Sequence, residues 1–87
     1  MTTPRTSVRI GVGAGFSGDR FEPAVELIER GDIEFLVFEC LAERTIALAQ
    51  QARQRDPDNG FDPLLIERMR VVLPSARARG VRIVTNA

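Results

Sequence analysis

The chain has 87 residues, 44% hydrophobic and 28% charged, which is ordinary for one small globular domain and excludes a disordered polymer. Twelve basic residues balance twelve acidic ones, so formal net charge is zero and no overall pull toward nucleic acid or an anionic membrane is expected. One cysteine and no histidine rule out an internal disulfide and argue against a zinc site within the chain.

A domain of this size buries only about 60–65% of its unfolded-chain surface, so its margin of stability alone is thin. No apolar run approaches the roughly 18 residues of a membrane span, and residues 1–9 lack the apolar core of a signal peptide. With a lone cysteine, this reads as a cytoplasmic protein without membrane or nucleic-acid partners.

Residues 1–7 read as a disordered tail. Residues 8–13 then read as a first strand, short, partly β-branched and ended by glycines. Pro23 suits the first position of a helix, where its missing N–H costs nothing. Ala24, Val25, Leu27 and Ile28 give that helix an apolar stripe. Gly31 is expected to stop it in the left-handed conformation, so the helix covers residues 23–30. Residues 33–39 (IEFLVFE) form a second strand, whose four consecutive apolar residues predict burial on both faces, as in a parallel sheet.

Residues 41–55 read as a second helix, with Leu41, Thr45, Leu48 and Ala52 at helical spacing. Pro57-Asp58-Asn59-Gly60 is a turn. A third helix starts near Asp62-Pro63, with Asp62 as N-cap. Its buried face is Leu65, Met69, Val72 and Ala76, with a kink or a fresh start at Leu73-Pro74 and a stop at Gly80. Residues 81–85 (VRIVT) form a third strand.

The order β-α-β-α-α-β predicts an α/β fold with a short parallel sheet. Three strands leave a large open edge, so residues 8–87 are expected to be the first part of a larger doubly wound domain. Self-association, or pairing with a partner, is expected through that edge.

In open α/β sheets, ligands bind beyond the carboxyl ends of the strands. Residues 11–20, Glu39 with Cys40, and residues 85–87 should meet there. Gly13-Ala14-Gly15-Phe16-Ser17-Gly18 fits the dinucleotide pattern, with Glu39 about twenty residues further on, the distance of a ribose-binding acid. Pro23, however, sets the helix start about five residues after Gly18, later than a tight pyrophosphate turn allows. Three readings stay open. The loop is a dinucleotide module, a cradle for phosphate or carboxylate through exposed amides, or a plain turn in which glycine relieves crowding.

Asp19, Glu39 and Glu43 are the acidic candidates, able to accept substrate hydroxyls or to hold Mg²⁺. Against this stand a helix-dipole role for Glu43 and a loop-shaping role for Asp19. Thr85 and Asn86 either hydrogen-bond a ligand or cap the strand end. Cys40 has the position of a nucleophile at a helix N-terminus, without a histidine to serve as base. Arg44 reads as part of a solvated face, and Arg77 with Arg79 as a helix C-terminal charge set. The candidate ligand set is therefore Gly13, Gly15, Ser17, Gly18, Asp19, Glu39, Glu43, Thr85 and Asn86, with no metal and no named cofactor.

Several short stretches, in order over residues 8–87, carry a resemblance. They are Gly13-Ala14-Gly15-Phe16 with Gly18-Asp19, Leu41-Ala42-Glu43 with Thr45, Gly60-Phe61, Leu73-Pro74, and Arg79-Gly80 leading into Val84-Thr85-Asn86-Ala87. The chain resembles the N-terminal segment of the acyclic terpene utilisation family. The resemblance implies a role in breaking down acyclic terpenes or related branched acyl compounds, with a small anionic or acyl-CoA-type ligand. It assigns no catalytic residue. It also implies a longer protein, several hundred residues in the relatives.

Overall fold

In a computed structural model of the chain, residues 6–87 are described. The tail expected over residues 1–7 lies outside them, except for the exposed Thr6 and Ser7. The elements run β1 (Ile10–Ala14), α1 (Glu22–Arg30), β2 (Phe35–Phe38), α2 (Glu43–Arg55), α3 (Leu65–Arg79) and β3 (Arg82–Thr85). This is the β-α-β-α-α-β order read from the sequence. The three strands form one parallel sheet in the order β1-β2-β3. Val12 pairs with Val37 and Val37 with Val84, and the β1 register slips between Val12 and Ala14.

Parallel pairing forces every connection to cross back over the sheet. Helices α1 and α3 make that return and pack on each other and on the sheet. The core lies in this layer: Ala14, Ala24, Ile28, Leu36, Phe38, Cys40, Val72, Ala76 and Val81. Strand side chains alternate between faces. Leu36 and Phe38 therefore point into the core, while Phe35 and Val37 share the other face with Ile10, Val12 and Val84. That face is bare: Ile10, Val12 and Val84 are 57%, 63% and 53% exposed. The burial expected on both faces of β2 is thus complete on one only, with Phe35 and Val37 half-buried.

Local chemistry explains the element ends and corrects several expectations. Helix α1 begins one residue before Pro23, with Phe21 as its cap residue. Gly31 is not left-handed (φ −82°); Asp32 is, at φ 50°. Asp tolerates that region better than most residues. Glycine is needed at 31 for space, because a Cβ there would lie 2.6 Å from the Leu27 carbonyl oxygen. Gly80, at φ 68°, does end α3 in the left-handed conformation, and the Val81 N–H reaches back to the Ala76 carbonyl.

Helix α2 starts at Glu43, not Leu41; the Ala42 N–H donates to Thr45 Oγ1 at 2.6 Å. Helix α3 starts at Leu65, not at Asp62-Pro63. Asp62 instead caps the turn before it, its Oδ1 accepting the Leu64 N–H. No fresh helix begins at Pro74: α3 continues through it, with the proline on the exposed side.

Two faces differ more substantially. Helix α2 buries none of its residues, so its apolar stripe does not pack into the core. On α3, Val72 and Ala76 are buried as expected, but the residue completing the stripe is Arg68, fully buried. Among the described residues, no helix is long and apolar enough to cross a membrane.

Candidate functional site

The three loops at the carboxyl ends of the strands are bound to one another by side chains. Asn86 bridges two of them. Its Oδ1 accepts the Cys40 N–H at 2.8 Å and its Nδ2 donates to Glu39 Oε2 at 2.9 Å. Glu39 Oε1 accepts the Leu41 N–H. Thr85 donates to the Phe38 carbonyl and accepts the Ala87 N–H, so it ties β3 to β2. The Glu39 N–H donates to the Ala14 carbonyl, joining β1 to the same edge.

The glycine loop closes on itself. Both oxygens of Asp19 are engaged, Oδ2 by the Gly15 N–H and Oδ1 by the Arg20 N–H, each at 2.9 Å. The amides that would cradle an incoming anion thus hold a carboxylate of the chain itself, which an external anion has to displace. These two bonds, the Gly15 one first, hold the Asp19 carboxyl below its ordinary value of 3.8. Glu39 is lowered from 4.5 by the Asn86 side chain and then by the Leu41 N–H.

The glycines do different work. A Cβ at Gly13 would lie 2.8 Å from the Phe38 ring and 2.9 Å from Ala24 Cβ, so this position lets α1 sit close on the sheet. At Gly15 and Gly18 a Cβ meets nothing closer than 3.9 Å and 3.7 Å. In the dinucleotide pattern the packing glycine is the third, at the helix start; here it is the first, and Gly18 precedes the helix. We expect Gly13→Ala to destabilise the fold by about 1–3 kcal/mol, the usual cost of overpacking. Gly15→Ala and Gly18→Ala should stay within about 0.5 kcal/mol of wild type. Urea denaturation of the three variants checks this.

A buried ion pair lies beneath the loop. Arg68 is 0% exposed and Asp62 8%. Arg68 Nη1 donates to Asp62 Oδ2 at 3.2 Å and to Cys40 Sγ at 3.4 Å, while Nη2 donates to the Asp19 carbonyl at 2.9 Å. The guanidinium carbon is 5.2 Å from the Phe21 ring centre and 5.4 Å from that of Phe38, within cation–π range. Its Nε is buried without a partner. Asp62 Oδ1 accepts the Ser17 hydroxyl at 3.0 Å, and its N–H donates to the Ala87 carbonyl. One pair of charges therefore holds the loop after β1, the end of β2, the end of β3 and the approach to α3.

Burial pushes the Cys40 thiol up, against the opposing pull of Arg68, and the Asp62 and Glu39 carboxylates add to the rise. A buried thiol held in its protonated form is a poor nucleophile.

Beside this cluster is a cleft of about 640 Å³. One wall is α2, through Leu48, Ala49 and Ala52, with Leu41 just before the helix; the other is the 59–63 segment with Phe61. The floor is Ser17, Cys40, Asp62 and Asn86. Gly60, at φ 114°, lets the second wall approach α2, since a Cβ there would lie 3.1 Å from Arg53 Cβ. The stripe on α2 that periodicity marks for burial lines this cleft instead.

Of the nine candidate residues, Ser17 and Asn86 line the cleft. Glu39 and Thr85 support its floor through the contacts above. Asp19 and Gly15 close the neighbouring loop, Gly13 packs under α1, and Gly18 stands exposed. Glu43 is exposed in the first turn of α2 and lies outside the lining. Sequence reasoning missed Arg68, and assigned Asp62 only a capping role. The available signal was the spacing 68-72-76, which puts an arginine on an apolar stripe.

Since Asp19 and Glu39 have lowered folded-state pKa values, their contribution is full above about pH 5 and is lost as pH falls through those values. We expect the melting temperature to fall on acidification below about pH 4, with a shallower fall in Asp19→Asn and Glu39→Gln. Calorimetry between neutral and acid pH reads this directly.

Comparison with curated proteins and with solved structures gives no match. The family model described as acyclic terpene utilisation family protein AtuA matches residues 8–87, almost the whole chain and the full set of elements. The chain belongs to the acyclic terpene utilisation family.

Proposed function

We propose that this chain forms a ligand-binding edge of a cytoplasmic protein that takes part in the breakdown of acyclic terpenes or related branched acyl compounds. The observation that carries the reading is the cleft. It lies at the carboxyl ends of the strands, where open α/β sheets bind ligands. Its volume of about 640 Å³ falls in the range of small-molecule sites. Apolar walls with a few polar groups on the floor suit a ligand that is mostly hydrocarbon. The glycine loop contributes Ser17 to that floor.

Titrating the ¹⁵N-labelled chain with an acyclic terpene alcohol tests this. Saturable shifts at Leu41, Ala49, Phe61 and Asn86 are the expected result. Absent shifts, or shifts spread over the surface without saturation, count against the reading.

The bare sheet face favours a second reading, an interaction module. Parallel sheets are normally covered on both faces, and Ile10, Val12 and Val84 are not. Light scattering over a concentration series tests it: self-association lost in Val12→Lys supports it, and a monomer at all concentrations removes self-association from the reading.

A further inference from the structure

We propose that the outward face of α2 docks in an acidic groove along α1 of a second copy of this chain. The contact is separate from the bare sheet face, and it leaves the cleft side of α2 free.

Helix α2 packs on no other helix or strand. The chain measures 54 × 24 × 20 Å, with a radius of gyration of 15.0 Å, against about 12 Å for a compact chain of this length. At about 100° of turn per residue, Thr45, Ala49 and Ala52 share the half-buried side of α2 that lines the cleft. Arg44, Leu48, Gln51 and Arg55 follow at i, i+4, i+7 and i+11 on the outward side, and all four are exposed. Leu48 stands at the rim that the two sides share. Two arginines thus flank a leucine on a stripe without an acid. Among the described residues, neither arginine has an ion-pair partner. The stripe does not pair with itself. In an antiparallel pair of α2 helices Arg44 faces Arg55, and in a parallel pair each faces its own copy. Like charges set opposite each other oppose association.

The matching surface is on α1. Glu22, Val25, Glu26 and Glu29 follow at i, i+3, i+4 and i+7, and with Phe21 and Val71 they line a groove of about 520 Å³. Val25 is half-buried and Val71, from α3, is exposed, which gives the groove an apolar strip. Among the described residues, Glu22 and Glu26 have no ion-pair partner, and Glu29 takes only the Ser75 hydroxyl. The cation in the lining is Arg30, in the last turn of α1, so the groove stays acidic. Arg44 to Arg55 spans about 17 Å along the helix and Glu22 to Glu29 about 11 Å, a difference that two long side chains bend inward to cover. Leu48 then lies over Val25 and Val71.

Arm and groove are different surfaces, so the contact is heterologous. One helix in one groove is small against the about 1,200–2,000 Å² of a stable interface. Association is therefore weak, and salt weakens it further by screening the charges.

The test is light scattering of the full chain at neutral pH, from about 10 μM to about 1 mM, in low and in high salt. We expect association that grows with concentration and falls with salt. Arg44→Glu with Arg55→Glu, and separately Glu22→Arg with Glu26→Arg, should each associate at least about ten-fold more weakly, because like charges then meet. Mixing the two variants should restore association. The acidic arm of one then matches the basic groove of the other, and the unaltered arm matches the unaltered groove. Circular dichroism shows that both variants, altered only at exposed positions, keep their fold, and a structural defect is not repaired by mixing. A monomer at every concentration overturns the contact. Association that survives both reversals, or that mixing fails to restore, overturns it too. Loss of such association in Val12→Lys alone assigns it to the bare sheet face instead.

Discussion

Arg68→Met is expected to cost about 3–5 kcal/mol, the range for breaking a buried ion pair by removing one partner. The reason is what remains. Asp62 would stay buried without its cation, and the Asp19 carbonyl and Cys40 sulfur would lose their donors. Whole domains have only about 5–15 kcal/mol of stability, and a small one sits toward the lower part of that range, so much of the population should unfold under mild conditions. Arg68→Lys should rescue little, because three acceptors are reached by a planar fork that an ammonium cannot reproduce. Adding Asp62→Asn to Arg68→Met should recover part of the loss, since the stranded charge is then gone while the amide oxygen can still accept from Leu64 and Ser17. Urea denaturation of the two single variants and the double one yields the coupling. Additive losses would show that the two charges do not act as a unit.

Phe38→Ala should be comparably severe, at about 3–5 kcal/mol for emptying a large buried ring. Phe38 is 1% exposed on the central strand, between the Gly13 position and Arg68. Its loss opens a cavity under α1 and removes one of the two rings flanking the guanidinium. Phe38→Leu keeps most of the volume and should cost less, about 1.5 kcal/mol, because packing is largely preserved while the aromatic face is not. Equal losses for the two variants would mean that the ring's contact with Arg68, rather than cavity volume, dominates.

The fold was legible because its punctuation is local. The glycines after β1, Pro23 and Gly31 around α1, the Pro57–Gly60 turn and Gly80 after α3 each act through nearest-neighbour sterics that a single sequence displays. The bulk of the candidate site was less legible, for a physical reason. Periodicity marks which face of a helix is apolar but not what covers it, so the Leu48 side of α2 reads as core when it borders a cleft. A charged residue reads as solvated unless its partner is known. Arg68 and Asp62 are six apart, and nothing local shows that Phe21, Phe38, Cys40 and the Asp19 carbonyl close around them. The glycine loop raises the opposite difficulty. Its spacing imitates an anion cradle, and only the position of Asp19 shows that the donors are filled from within. Glu39 and Asn86 were placed correctly at the edge because parallel topology alone brings the strand ends together. Their hydrogen bond to each other required the structure.

The most direct test of the cleft as the ligand site is to fill it. Ala49 lines the wall formed by α2, and a phenyl ring at that position would occupy the space a hydrocarbon ligand needs. Titration of the wild-type chain and of Ala49→Phe with the same acyclic terpene alcohol, followed by amide shifts, compares the two Kd values. The cleft reading predicts saturable binding in wild type and a loss of at least about ten-fold in a variant that keeps its fold. Undiminished binding in Ala49→Phe, or shifts centred on Ile10, Val12 and Val84, would contradict it.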